Sequence, residues 1–249
     1  MHDRKVALVT GAGKRRVGWH VARALGERGY ALAIHYRSSV QEAAETVELF
    51  RRESWEVEAF QADLADESAV RAMVEAVLKR FGRIDVLATC AAAWKSKRLE
   101  DVTADDVRNY FEVNTLSTFL CCQHVGLAMV RQPEGGAIVT LGDWAIERPY
   151  RDYAAYFPSK GAIPTLTRVM AVELGARNPN VRVNCILPGP VMLPPDLPDA
   201  ERQEAINATL VKREGSPENV AKAVLHFVEN DFVTGACLPV DGGRTVFAP

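Results

Sequence analysis

Short apolar runs alternate with longer helical stretches along nearly all of this 249-residue chain, and that alternation restricts the fold more than any other feature. Val6–Thr10, Ala31–Tyr36, Val57–Gln61, Ile84–Thr89, Ala137–Leu141, Val181–Leu187 and Ala236–Val240 read as strands. Between them, Val17–Gly29, Gln41–Glu53, Glu67–Arg80, Ala104–Arg131, Tyr153–Ala176 and Pro217–Glu229 read as helices. The strands are continuously apolar, which suits a sheet buried on both faces. Each strand but the last is followed by a helix long enough for a crossover, so a parallel sheet is expected. The sequence therefore predicts one α/β domain over residues 1–249: a doubly wound sheet of seven parallel strands flanked by helices. Local chemistry agrees. Thr103 with Asp106 has capping-box spacing, Ser216-Pro217 opens a helix, and Gly29 stands where one should stop.

Charge and composition remove several functional classes. Thirty Lys+Arg face 32 Asp+Glu, and 48% of residues are hydrophobic, so the chain is neither disordered nor a basic nucleic-acid binder. No apolar run reaches the roughly 18–20 residues of a membrane span. Met1-His2-Asp3-Arg4-Lys5 leads straight into Val6–Thr10, which is too short for a signal-peptide core. The five cysteines are odd in number and scattered, with no metal-ligand spacing. Reduced thiols, a cytoplasmic setting and no metal are expected.

The first strand runs into Thr10-Gly11-Ala12-Gly13-Lys14-Arg15-Arg16-Val17-Gly18 and then a helix. Glycines let a backbone approach phosphate closely, and a helix N-terminus offers free N–H groups. The G-x-G-x-x-G spacing is not met, since Gly18 falls two residues late. Taken alone, a solvated basic turn explains this segment equally well. The second strand shifts the balance: it ends His35-Tyr36-Arg37-Ser38-Ser39, where NAD-specific folds place an acid for the ribose 2′-hydroxyl. Arg and Ser would instead pair with a 2′-phosphate, and Lys14, Arg15 and Arg16 add positive charge, so NADPH is the expected cofactor. Asp63-Leu64 after the third strand would lie near the adenine, or would simply cap the next helix.

Tyr156 and Lys160 stand four apart at a helix start, hence on one face. A free tyrosine has a pKa near 10; a nearby ammonium would favour its anion and ease proton transfer.

At this point the chain resembles the short-chain dehydrogenase/reductase family, Rossmann-type enzymes, over essentially its whole length. Thr10-Gly11, Asp63-Leu64, Asn114 in Val-Asn-Thr, Tyr156 with Lys160, Pro188-Gly189, Thr234-Gly235 and Asp241-Gly242-Gly243 carry the resemblance. It implies that Tyr156 is the acid, that Lys160 lowers its pKa and holds the nicotinamide ribose, and that Asn114 organises a proton-relay water. It also implies cofactor contacts at Val17, Gly18, Cys90, Ala91, Pro188 and Gly189, and a homotetramer built on Ala104–Arg131 and Tyr153–Ala176. Two departures stand out. The family's Asn-Asn-Ala-Gly reads Thr89-Cys90-Ala91-Ala92, and its catalytic Ser is replaced by Asp143.

An ionised Asp only accepts hydrogen bonds and would repel a developing alkoxide. A substrate with N–H donors, or a C=N bond whose nitrogen is protonated, suits it better. The pteridine and dihydromonapterin reductases carry Asp here, and the His35–Ser38 segment resembles their NADPH-binding one. In that branch Trp94 would stack on a pterin; packing is an equal alternative. The segment at about 188–215, with Met192 and Leu193, resembles the branch's substrate loop. Ala92 and Ala93 depart from it. The sequence thus points to an NADPH-dependent pteridine-type reductase acting on a small molecule. A ketone or 3-oxoacyl reductase is the alternative, and a non-catalytic nucleotide-binding protein the more distant one.

Overall fold

A computed structural model describes residues 4–247; positions 1–3 and 248–249, included in the single-domain reading and in the reading of the N-terminus, lie outside the described residues. All seven strands join one parallel sheet: β1 (Val6–Thr10), β2 (Ala31–Tyr36), β3 (Val57–Gln61), β4 (Val86–Thr89), β5 (Gly136–Leu141), β6 (Val181–Pro188) and β7 (Cys237–Val240). Their order is β3-β2-β1-β4-β5-β6-β7. The winding reverses between β1 and β4, which opens a crevice at the carboxyl ends of these strands.

Alternation along the strands builds two cores. Val6, Leu8, Leu87 and Ile138 pack on one face with Val74, Met129 and Leu174 from α3 (Glu67–Phe81), α5 (Ser117–Val130) and α6 (Tyr156–Gly175). Ala7, Val9, Val86 and Val139 pack on the other with Leu25, Phe50 and Val224 from α1 (Val17–Glu27), α2 (Val40–Arg52) and α8 (Pro217–Glu229). The caps form as expected. Thr103 and Asp106 close a capping box at α4 (Ala104–Tyr110), Ser216 and Asn219 close another at α8, and Gly29 follows α1 at φ +83°.

Three features differ from expectation beyond shifts of one to three residues at element ends. The long helix over Ala104–Arg131 is α4, a π-helical segment at Phe111–Leu116, and α5. The continuous run Ala104–Val130 is long and apolar enough to cross a bilayer, unlike anything the sequence reading found, but Leu120, Val125 and Met129 bury themselves in the core. Finally, the loop at about 188–215 contains α7 (Asp199–Asn207), whose polar sequence shows no apolar face.

Candidate active site

One cavity of about 1000 Å³ opens along the carboxyl ends of the strands. Its floor at the β1–α1 turn is made of glycine for steric reasons. Gly11 adopts φ +65°, and a Cβ there would lie 2.8 Å from Ala91 Cα; one on Gly18 would lie 2.9 Å from the Gly11 carbonyl oxygen. No side chain caps α1. A close backbone approach beside an uncapped helix start fits the phosphates of a dinucleotide.

His35 organises this turn. Its Nδ1 accepts the Gly11 N–H at 3.1 Å, while Nε2 donates to the Ala62 carbonyl oxygen at 3.1 Å. Burial drives its pKa down to about 4, which keeps the ring neutral and able to accept. Lys14, Arg16 and Arg37 line the same end of the cavity, with Asp63 and Leu64 beside them. Lys14 also pairs with Glu42 at 2.9 Å. Two expected contacts fall elsewhere. Arg15 turns back over the Trp19 ring, its Cζ 4.9 Å from the centroid, and Ser38 lies off the wall while Ser39 lines it.

At the other end, Asp143 and Tyr156 form a dyad. The Tyr156 hydroxyl donates to Asp143 Oδ2 at 2.9 Å, and Oδ1 accepts the Ala145 N–H at 2.8 Å. Asp143 thus caps a short 3-10 turn, Trp144–Ile146, which fixes its orientation. Buried Lys160 donates to the Leu141 carbonyl oxygen at 2.8 Å. Burial raises the Asp143 pKa against the opposing N–H, hydroxyl and Lys160 charge. The expected acidification of Tyr156 by Lys160 is not what these groups produce. Burial and the neighbouring Asp143 charge push the phenol upward, while burial draws Lys160 down. Of the two dyad members, the carboxyl is the one whose titration moves toward neutral pH.

Asn114 does not line the cavity; it braces the wall from behind. Its amide donates to the Ala93 carbonyl and to Ser159 Oγ, and its Oδ1 accepts the Ala93 N–H at 2.9 Å. The π-helical segment turns it to that position. Cys90 and Ala91 line the cavity, and Thr10 Oγ1 accepts the Ala91 N–H at 3.1 Å, so that loop is tied to β1. Pro188 and Gly189 close the near side, and Met192 and Leu193 continue along the same loop.

Trp94 lies on the wall, 47% exposed, with its ring stacked on Tyr153 at 5.3 Å and 15°. Tyr150 and Trp144 continue this aromatic surface, stacked at 6.2 Å, and Arg244 lies over Trp144. The sequence reading missed Trp144, Tyr150, Tyr153 and Arg244. Tyr150, Tyr153 and Tyr156 recur every third position, the one signal that could have marked them.

Fold and site together form a doubly wound sheet whose crevice holds a glycine-floored turn at one end and a Tyr–Lys pair at the other. A family profile described as enoyl-(acyl carrier protein) reductase matches residues 11–245. Versicolorin reductase 1 of Aspergillus parasiticus is 32% identical, the alignment covering 97% of this chain and 96% of that protein. The acetoin dehydrogenase structure from Enterobacter cloacae superposes with TM-score 0.87 at 32% identity, covering 98% of each chain. A blue fluorescent protein from a metagenomic library, solved in complex with NADPH, superposes with TM-score 0.87 at 32% identity over 96% of this chain and 97% of that one. The chain belongs to the short-chain dehydrogenase/reductase family of oxidoreductases, which bind a nicotinamide cofactor.

Proposed function

We propose that this protein is an NADPH-dependent reductase acting on a flat, nitrogen-containing ring of pterin type, at a C=N bond. The observation that carries the reading is the hydrogen bond from Tyr156 to Asp143 at 2.9 Å beside the aromatic wall. A carboxyl group here accepts from ring N–H groups and, when protonated, resupplies Tyr156 as the phenol protonates the substrate nitrogen. Trp94 offers a ring face for stacking. Lys160 holds its ammonium beside the ribose position and offsets negative charge on the dyad. Arg37, with Arg16 and Lys14, favours a 2′-phosphate, and no acid follows β2 to repel it. When bound, NADPH supplies the hydride.

A second reading, reduction of a ketone, is supported by the relatives named versicolorin reductase and acetoin dehydrogenase. Initial rates on dihydropterins and on a ketone panel, each with NADPH and NADH, separate the two. Turnover of ketones alone overturns the pterin reading, and equal use of NADH overturns the cofactor assignment. We also expect a homotetramer in the cytoplasm. Exposed Phe119, Leu127 and Val172 on α5 and α6 would be covered by neighbouring copies, and light scattering should report four times the chain mass.

A further inference from the structure

At the outer edge of the sheet, two cysteines that the reductase chemistry does not use stand side by side. Cys185 of β6 and Cys237 of β7 are register partners on adjacent parallel strands, so their side chains leave the same face. Adjacent strands lie about 4.7–4.9 Å apart, and a disulfide accepts Cα separations of about 4.4–6.8 Å. The backbone separation therefore suits a bridge between them. Cys185 is fully buried and Cys237 is half-buried on the edge strand. The remaining cysteines lack this arrangement: Cys121 and Cys122 follow one another on α5 and point apart, and Cys90 stands alone by the nucleotide turn.

We propose that Cys185 and Cys237 form a peroxide-sensitive thiol pair, with Cys237 attacking and Cys185 resolving, that closes to a disulfide across the β6–β7 edge. The thiols already interact. The Cys185 S–H points to the Ile186 carbonyl oxygen at 3.5 Å, and the neighbouring Cys185, helped by the Arg168 charge, draws the Cys237 thiol downward while Cys237 and burial push Cys185 upward. Burial instead holds Cys90 and Cys121 up at about 12. Thiolate is the reactive form, so oxidation should begin at Cys237.

In the first step the Cys237 thiolate attacks a peroxide oxygen. The S–O bond forms, the O–O bond breaks, and hydroxide leaves, giving a sulfenic acid. That hydroxide takes the Cys185 proton to form water. The Cys185 sulfur then attacks the sulfenic sulfur and expels a second hydroxide. Two thiols lose two electrons, and hydrogen peroxide is reduced to the level of water.

The position gives the bridge a bearing on the cavity. Both strands run directly into its rim: Gly189 donates to the Val240 carbonyl at 3.0 Å, and a Cβ on Gly189 would lie 2.5 Å from Asp241 Cα. A Cβ on Gly142, the residue before Asp143, would lie 3.4 Å from Cys185 Sγ.

The test treats the full chain with hydrogen peroxide at neutral pH and maps its peptides without reduction. The expected result is a Cys185–Cys237 linked peptide that dithiothreitol reverses. Cys237→Ser should abolish it, and Cys185→Ala should leave a trappable sulfenic acid on Cys237. Because Cys185 is buried, the half-buried Cys237 variant keeps the test valid if the other fails to fold. Three results would overturn the proposal: no oxidation of Cys237, oxidation directly to sulfinic acid without linkage, or a link joining Cys237 of two copies.

Discussion

In the proposed reaction Asp143 would act through two oxygens with different partners. Oδ1 caps the Trp144 turn and Oδ2 receives the Tyr156 proton. An Asp143→Asn exchange keeps the shape and one acceptor, but the side chain can no longer carry a proton. Dihydropterin reduction should fall by about 10²–10⁴-fold, the usual weight of a general acid. Reduction consumes a proton, so wild-type kcat/KM should decline as pH rises through the upward-shifted Asp143 titration. That decline should vanish in the variant. Asp143→Ser is the companion test: it should lower dihydropterin turnover and raise turnover of ketones, because a hydroxyl can donate to an alkoxide. Intact dihydropterin rates in the Asp143→Ser variant would remove Asp143 from the mechanism. The identity of this residue was legible in the sequence. Its upward effect on Tyr156 was not, since burial and a 2.9 Å contact decide that direction.

At the scale of elements, the β1–α1 turn shows why a spacing that misses the glycine fingerprint still builds a floor of glycines under the cavity. Gly11 and Gly18 are both needed because backbone lies under 3 Å from where their Cβ atoms would go, whatever their separation in sequence. Gly11→Ala combines a positive φ with a clash against the Ala91 backbone, which cannot swing aside as a flexible side chain could. Stability should fall by about 1–3 kcal/mol, and nucleotide affinity should weaken with it. Thr103→Ala provides the contrast. It removes the acceptor for the Asp106 N–H at α4, which should cost about 1 kcal/mol by urea titration while the KM for NADPH stays unchanged. An equal loss of NADPH affinity in both variants would show that the turn has no special part in binding. Apolar periodicity exposed the strands and most helices, because burial on both faces writes itself into composition. The π-helical segment at Phe111–Leu116 left no such trace. It is fixed by Asn114 clasping Ala93, a contact between residues 21 apart. Polar α7 was missed because nothing on its surface is buried deeply enough to impose a period.

For the whole molecule, His35 joins three parts of the sheet at the edge of the cleft: the turn after β1, the end of β2, and Ala62 beyond β3. The sequence marked it as a cofactor contact, and it does line the cavity. Only the fold shows that its two ring nitrogens hold the adjoining loops together. This gives a pH prediction for global stability. The His35 pKa is about 4 in the folded protein against 6.5 for an ordinary histidine. Between those values the unfolded chain binds the extra proton and the folded one does not, so stability rises with pH across that window. The contribution is fully present above pH 6.5 and is lost as pH falls toward 4; the shift corresponds to about 3 kcal/mol. Protonation also converts Nδ1 from an acceptor into a donor facing the Gly11 N–H, so the nucleotide turn should loosen first. His35→Asn keeps a hydrogen-bonding amide but does not titrate. Urea unfolding at pH 7, 5.5 and 4.5 should show the wild type losing stability more steeply than the variant, with amide exchange at Gly11 rising before that of the central strands. Parallel stability curves for the two proteins would mean that the acid sensitivity of the fold lies in other groups.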